Sequence, residues 1–474
     1  MKTIYARCNT VALLIIFASA GAWAQVQTFE KTLGGSRADY GHSLSSTADG
    51  GFILAGQTYS YGDTTSDTWL IKTDAFGNQQ WTRTMGSDTL DGANSVAQTQ
   101  DGGYFVVNHT EGYGTGDCEA WMFRTDGEGN ILWSQTYGCP GDDVGEDGIE
   151  TSTGDFIATG VTRIADNQGD AFIAKYAPDG STKWIKNYGG PEGQLGMRIV
   201  EAPGGGYVVT GAIIVQAGLP EDIMVFKTNE NGDLLWLKNY GGAGIEEAYG
   251  LIATSDGGYL ISGFSTSFGN GDRDAYLLKI DENGTQQWSR NYGGLEDEGA
   301  YSIAATAGGF VATGATNSFG DPTYMLILKT DLLGNLLWMK TIGDQEYIKG
   351  GSWIVSCNDG GLAIVGTKQK TGTDNSDLYF VKTDSEGNLS LNVDNLSDNS
   401  PHFVISPDPA EKNITLSYDN LISEPEVRIY NALGRLVFEG VNLKKINVAS
   451  LCGGIYFITL KHDDKFYSQR FVKM

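Results

Sequence analysis

Residues 281–294 read DENGTQQWSRNYGG. An acid opens a turn, a glycine follows three residues later, and a tryptophan stands four residues beyond the glycine. The phrase recurs as DAFGNQQWTRTMG from Asp74, DGEGNILWSQTYG from Asp126 and DLLGNLLWMKTIG from Asp331. Aligned on the turn glycine, the copies fall at Gly77, Gly129, Gly180, Gly232, Gly284, Gly334 and Gly387, spaced by 50 to 53 residues. Tryptophan follows in six of them, at Trp81, Trp133, Trp184, Trp236, Trp288 and Trp338. A fixed internal period of this size marks a repeat architecture.

Each repeat carries four short strand signals. In the unit after Gly294 they are YSIAAT from Tyr301, FVATGAT from Phe310, YMLILKTD from Tyr324 and LLWMKTIG from Leu336. The first two strands of a repeat are usually joined by Asp-Gly-Gly, as at Asp49, Asp101, Asp256 and Asp359, which supplies the positive φ of a tight hairpin. Seven such units predict an all-β chain, a seven-bladed β-propeller of four-stranded antiparallel blades. An elongated solenoid is the alternative, with shorter coils and parallel strands. Calling the strands of a blade A to D in chain order, the segment Phe29–Gly35 reads as a D strand with no blade before it, and the last repeat ends on a C strand. The N-terminal segment is therefore expected to complete the seventh blade; the competing closure uses Asn388–Val393.

A Lys or Arg stands nine residues before each repeat tryptophan: Lys72, Arg124, Lys175, Lys227, Lys279 and Lys329. A C–D hairpin sets the two opposite each other, with the cation's stem expected on the indole face at ~0.5–1 kcal/mol. The same register brings Cys118 opposite Cys139 and predicts a disulfide, closing a loop worth roughly 3 kcal/mol by chain entropy.

Glycine, 66 of 474 residues against 10 prolines, fits many tight turns rather than a disordered linker. Residues 1–24 read as a signal peptide. Lys2 and Arg7 precede the apolar run VALLIIFASAG, and Ala22-Trp23-Ala24 fits cleavage between Ala24 and Gln25. No other segment is apolar enough to span a bilayer, so the mature chain is expected to have no transmembrane segment. The net charge of −26 argues against nucleic-acid and anionic-membrane partners.

The chain end differs from the repeats. Domain boundaries are set at 1–24 for the signal peptide, 25–389 for the propeller, 390–401 for a polar linker and 402–474 for a small β-sandwich of alternating strands. This end resembles the C-terminal sorting domain of the type IX secretion system of Bacteroidetes and relatives. The resemblance rests on Pro407-Asp408-Pro409-Ala410, on Ile429 to Arg435 with Asn431 and Gly434, on Leu451 to Tyr456 with Gly454 and Tyr456, and on Phe471-Val472-Lys473. Asp408 stands where the family usually has Asn, and Cys452-Gly453 where it has Pro-Ala or Pro-Ser. The resemblance implies Sec export, type IX secretion machinery as a partner, passage across the outer membrane, and a product released or held at the surface. The repeats also look like Gly-Gly-Tyr/Trp repeats of secreted proteins of that phylum.

Candidate chemistry gathers on the face formed by the D–A and B–C loops. Tyr61, Tyr113, Phe268 and Phe319 occupy one equivalent loop position, where they could contact a ligand or pack blade against blade. Asn270, Asp272 and Asp274 could offer oxygen ligands to calcium, as could Asp142, Asp143 and Glu146. Glycosidase chemistry requires two positioned carboxylates, and so many acids make no pair distinctive. The sialidase Asp-box differs by one residue in each spacing. His42 and His109 lie in no nucleophile motif, and neither zinc spacing nor a phosphate loop occurs. No catalytic residue is assigned. The expected function is binding of a polysaccharide or protein through the acidic, aromatic-bearing loop face of an exported propeller. A carbohydrate-active enzyme and a structural surface component are the alternatives.

Overall fold

A computed structural model describes residues 26–389 and 403–474, apart from 63–64, 115–117, 140, 164–168, 191, 215–220, 321, 408, 419–424, 432–435 and 463–464. The expected cleavage site and linker lie outside the described residues. The chain divides into two units, residues 1–390 and 391–474.

The first unit is a ring of seven four-stranded antiparallel blades. Blade 1 comprises Asp39–Ser46, Phe52–Thr58, Asp67–Thr73 and Gln79–Met85, from the inner strand A to the outer strand D. Blades 2 to 6 repeat this order. In blade 7, Tyr347–Ser356, Leu362–Lys370 and Ser376–Thr383 are joined by the N-terminal strand Phe29–Leu33 as strand D. Phe29 pairs with Lys382, the place tryptophan takes in the other blades. The N-terminal strand thus closes the ring, and the Asn388–Val393 alternative is set aside.

Burial explains the strand patterns. Strands B and C have a blade on either side, so nearly all their residues are buried, as in Phe52–Thr58 and Asp67–Thr73. Strand D lies at the rim and alternates exposed with half-buried residues, as in Gln79–Met85.

The repeated phrase now has a residue-by-residue cause. The Asp74 carboxylate accepts the backbone N–H groups of Phe76 and Asn78, and the Asn78 amide donates to its second oxygen. Asp126 with Asn130, Asp331 with Asn335 and Asp384 with Asn388 repeat this knot. The glycine has φ near +75° and also needs to lack a side chain: a Cβ on Gly180 would meet the Trp133 ring at 2.6 Å. Gly129, Gly232, Gly284, Gly334 and Gly387 sit in the same way on Trp81, Trp184, Trp236, Trp288 and Trp338, and Gly77 sits on Phe29. Each tryptophan therefore seats the turn of the next blade, and the contact runs once around the ring.

The expected Lys–Trp pairs are all in register, from Lys72 opposite Trp81 to Lys329 opposite Trp338. Most of the charged ends reach a carboxylate. Lys72 reaches Asp49 at 2.8 Å and Lys279 reaches Asp256 at 3.0 Å, both acids of the Asp-Gly-Gly turns. Arg124 and Lys382 pair with Asp101 and Asp359 in the same way. These cations are largely buried, so their ammonium groups seek a carboxylate. The indole rings are attended by cations two residues further along strand D, Arg83, Lys186, Lys238, Arg290 and Lys340, and Lys329 also lies over its own indole as expected, 5.8 Å from the centre of the Trp338 ring.

Burial is the largest single influence and raises the Asp256 carboxyl, but hydrogen bonds from Thr254, Lys279 and Gly258 and the Lys279 charge together outweigh it and pull the carboxyl down to about 2. A depressed folded-state pKa gives stability that is present above the unfolded carboxylate pKa of ~3.9 and lost as pH falls through about 2. The melting-temperature gap between the wild type and Asp256→Asn should therefore be open at pH 7 and close between roughly pH 4 and pH 2. A gap that stays constant across this window would contradict the ion pair.

The second unit holds a three-stranded sheet, Phe403–Ser406, Asn413–Tyr418 and Lys445–Asn447, and a four-stranded sheet containing Glu426–Asn431 and Gly454–His462. Its core includes Ile405, Ile414, Leu416, Val427, Ile429, Ile446, Ile458 and Phe471. Asn431 pairs with Tyr456, whose hydroxyl donates to the Cys452 carbonyl at 2.9 Å. Gly454 has φ +158°, and Gly434 lies outside the described residues. Among the described residues no helix is long and apolar enough to cross a membrane.

Candidate functional site

The loop face is built on buried acids. Strand A begins with Asp39, Asp91, Glu246 or Glu298, and in blade 3 directly follows Asp143; each of these acids is almost wholly buried. Glu246 shows why: it accepts Gly242 N at 2.6 Å, Ser265 Oγ at 2.6 Å and Ser267 N at 3.1 Å. One carboxylate thus ties the D–A loop to the B–C loop. Acids at the start of strand C fill the space beside the preceding loop glycine, so that a Cβ on Gly86 would meet Asp67 and one on Gly293 would meet Asp274. Much of the acidic character is therefore internal wiring. Burial is the main cause that lifts Asp143, Asp222 and Asp377 above the ordinary carboxylate value.

The four loop aromatics stand upon this frame. Tyr61 donates to the Gly34 carbonyl at 2.8 Å and Tyr113 to the Gly86 carbonyl at 2.6 Å. Their rings lie against Trp69 and Trp121, with centroids 5.4 and 5.0 Å away. Phe268 stacks on Tyr276 at 5.8 Å, and Phe319 approaches Gly294. Each ring still leaves about two-fifths of its surface exposed, at 43%, 40%, 41% and 43% in chain order.

Of the calcium candidates, Asp274 is buried and accepts the backbone N–H groups of Asn270 and Gly271 at 2.9 and 3.1 Å. Asp272 and Asn270 are exposed. Among the described residues no three His, Cys, Asp or Glu side chains converge as metal ligands. Cys118 and Cys139 are free thiols, so the expected disulfide is not formed in this structure. The hairpin register is as expected, with Ala120 opposite Tyr137, but beyond that pair both ends turn to Asp143. Its N–H donates to the Cys118 carbonyl at 2.7 Å, and its carboxylate accepts the Cys139 N–H at 2.6 Å.

The central channel is the feature that counting along the sequence missed. Every strand A has a bulge at the same place, between Gly41 and Ser43 in blade 1 and between Gly351 and Trp353 in blade 7. The inserted residues are His42, Asn94, Glu146, Met197, Tyr249, Tyr301 and Ser352. A bulge sets two residues opposite one and re-aims the strand. Neighbouring blades are stitched here. His42 Nδ1 donates to the Ala93 carbonyl at 3.0 Å, and the Asn94 amide donates to the Gly145 carbonyl at 2.9 Å. The signal was a position that varies freely inside an otherwise repetitive strand.

Burial holds His42 below the ordinary imidazole value, with His109 and Arg198 acting in the same direction. Burial pushes the Glu146 carboxyl up to about 7; Asp147 adds to the rise and Arg198 opposes it. Around blades 4 to 6, Tyr249 donates to Glu247 and meets Tyr301 edge-on at 5.4 Å. Glu221 shares a hydrogen bond with Glu247, and burial followed by that neighbouring charge raises its pKa. Arg273 lies 4.7 Å over Phe264, next to this group.

Residues 404–474 match the secretion system C-terminal sorting domain. The chain is thus a propeller carrying a type IX sorting tail, exported to the cell surface or beyond by way of the secretion machinery. Comparison with curated proteins gave no match. Among solved structures, the extracellular domain described as that of a one component system from B. thetaiotaomicron is 10% identical, with TM-score 0.43. That match covers 92% of this chain, which spans 56% of the other. A protein from Dyadobacter fermentans is 11% identical, with TM-score 0.45, over 75% of this chain and 97% of its own. The WD40 domain of Neurospora crassa Pan2 is 11% identical, with TM-score 0.46, over 75% and 96%. None of the three contributes to the argument for a ligand.

Proposed function

We propose that this exported propeller binds a polysaccharide or a protein through its loop face, with Tyr61, Tyr113, Phe268 and Phe319 as contact rings. The supporting observation is the repetition of a half-exposed aromatic at one loop position, held by hydrogen bonds or stacking before any ligand arrives. A ring fixed in advance loses little conformational entropy on contact.

One observation favours an enzyme as the second reading. Glu221 and Glu247 form a close acid pair with one member's pKa raised, the kind of perturbation found at catalytic sites. Their mutual hydrogen bond sets them closer than the ~5 Å that separates the acids of a retaining glycosidase. The pair therefore fits proton sharing better than that reaction, and binding is preferred.

The test is a glycan and cell-wall polysaccharide array probed with the mature chain, with and without calcium, each spot being checked for cleavage. Binding without cleavage is expected, with or without calcium. Phe268→Ala and Phe319→Ala should each weaken it about 3- to 10-fold, from aromatic contacts of ~0.5–1.5 kcal/mol. Cleavage abolished by Glu247→Gln would replace this reading with the enzyme. Silence across the array would favour a protein ligand or a structural role.

A further inference from the structure

The half of the channel nearer the A–B turns contains a cavity of about 370 Å³. Inner strands of blades 3 to 7 line it. Leu251, Ile252, Ile303 and Val355 give apolar walls, and Asp147, Arg198 and Trp353 bring polarity and an aromatic face. This size and lining belong to small-molecule sites.

Arg198 is the distinctive group. Its guanidinium lies 4.6 Å from the centre of the Trp353 ring, which belongs to blade 7 while Arg198 belongs to blade 4. Its Nη1 donates to the Met197 carbonyl at 2.8 Å, and among the described residues it forms no ion pair. Neither adjacent acid forms an ion pair with it. Asp147 is committed to Ser95 Oγ at 2.7 Å and Ile199 N at 3.0 Å. Glu146 holds its proton up to about neutrality because it is buried. An unpaired guanidinium braced on an indole, at the head of a cavity with apolar walls and with Ser302 and Ser356 also in its lining, offers a fixed fork of N–H donors. That fork matches a carboxylate. The volume excludes a polymer, and the chain's net charge of −26 repels polyanions.

We propose that this cavity binds a small monocarboxylate with an apolar body, its carboxylate on Arg198 and its body along Leu251, Ile252, Ile303 and Val355. The site is separate from the loop-face aromatics and stands or falls independently of them.

The test is calorimetric titration of the mature chain with hexanoate and phenylacetate, using hexanamide as the uncharged comparison. Saturable one-to-one binding of at least one carboxylate is expected, with hexanamide at least ~10-fold weaker than hexanoate. Arg198→Gln should weaken carboxylate binding by ~10-fold or more and leave hexanamide unchanged. Equal binding of acid and amide to the wild type would overturn the proposal whether or not the variant folds. So would no binding of either carboxylate up to about 10 mM, a concentration that corresponds to only ~3 kcal/mol.

Discussion

A chain starting at Ser36 is expected not to form a cooperatively folded ring. Removing Phe29–Leu33 takes strand D from blade 7 and leaves Ser376–Thr383 without its outer partner. It removes the Phe29 ring, which meets Phe380 edge-on at 4.9 Å and seats Gly77 of blade 1. It also removes Glu30, which accepts the Tyr379 hydroxyl at 2.6 Å and pairs with Lys349 at 3.4 Å. Phe29 is half-buried, so its own loss costs less than the about 3–5 kcal/mol of a fully buried phenylalanine, but the strand's ladder and Glu30 go with it, and typical total stability is only about 5–15 kcal/mol. A hydrogen-bonding edge would open in place of a closed junction, and such edges recruit other chains. The expected result is loss of the cooperative denaturant transition, with soluble aggregates in size-exclusion chromatography. A truncated chain that melts within a few degrees of the full one would place the closure elsewhere.

The second large effect is expected from Glu298→Ala. This carboxylate is 2% exposed and accepts from Gly294 N at 2.6 Å, Thr316 Oγ1 at 2.6 Å, Ser318 N at 3.0 Å and Ser318 Oγ at 3.1 Å. Alanine would strand donors from two loops, each stranded group costing about 1–3 kcal/mol. Partial relaxation and water entry bring the expected loss to roughly 3–4 kcal/mol in urea unfolding. Glu298→Gln keeps one acceptor oxygen and should lose about half as much. The exposed Glu282→Ala is the control and should stay within about 0.5 kcal/mol. A loss for Glu298→Ala no larger than the control's would remove these acids from the frame of the loop face.

The blades were legible because each residue of the phrase meets a local demand that recurs seven times. Asp and Asn bind the turn, the glycine needs positive φ and an absent Cβ, and the tryptophan supplies the surface it rests on. The closure was legible from an N-terminal D strand with no blade before it and a last repeat that ends on a C strand. The sorting tail was legible from contiguous motifs. The site was less so. Acids at the heads of strands A and C read as solvated charge or cation ligands, because their acceptors face backbone N–H groups of loops remote in sequence. Counting by twos along strand A fails at the bulge, where one extra residue changes which side chains enter the channel. Arg198 and Trp353 are 155 positions apart, in blades that face each other across the ring, and no local pattern joins them. The cysteines show the opposite limit: the hairpin register was right, but beyond Ala120 and Tyr137 the backbone of both ends bonds to Asp143 and the two thiols are free.

The closed seven-bladed ring is the frame for the loop-face aromatics and the channel cavity alike. Hydrogen exchange of the mature protein tests it most directly, read on the peptide spanning residues 27–35. Protection of the amides of Phe29–Leu33 matching that of a regular strand D such as Thr182–Tyr188 is the predicted result. Exchange of that peptide within seconds, with Thr182–Tyr188 still protected, would contradict it.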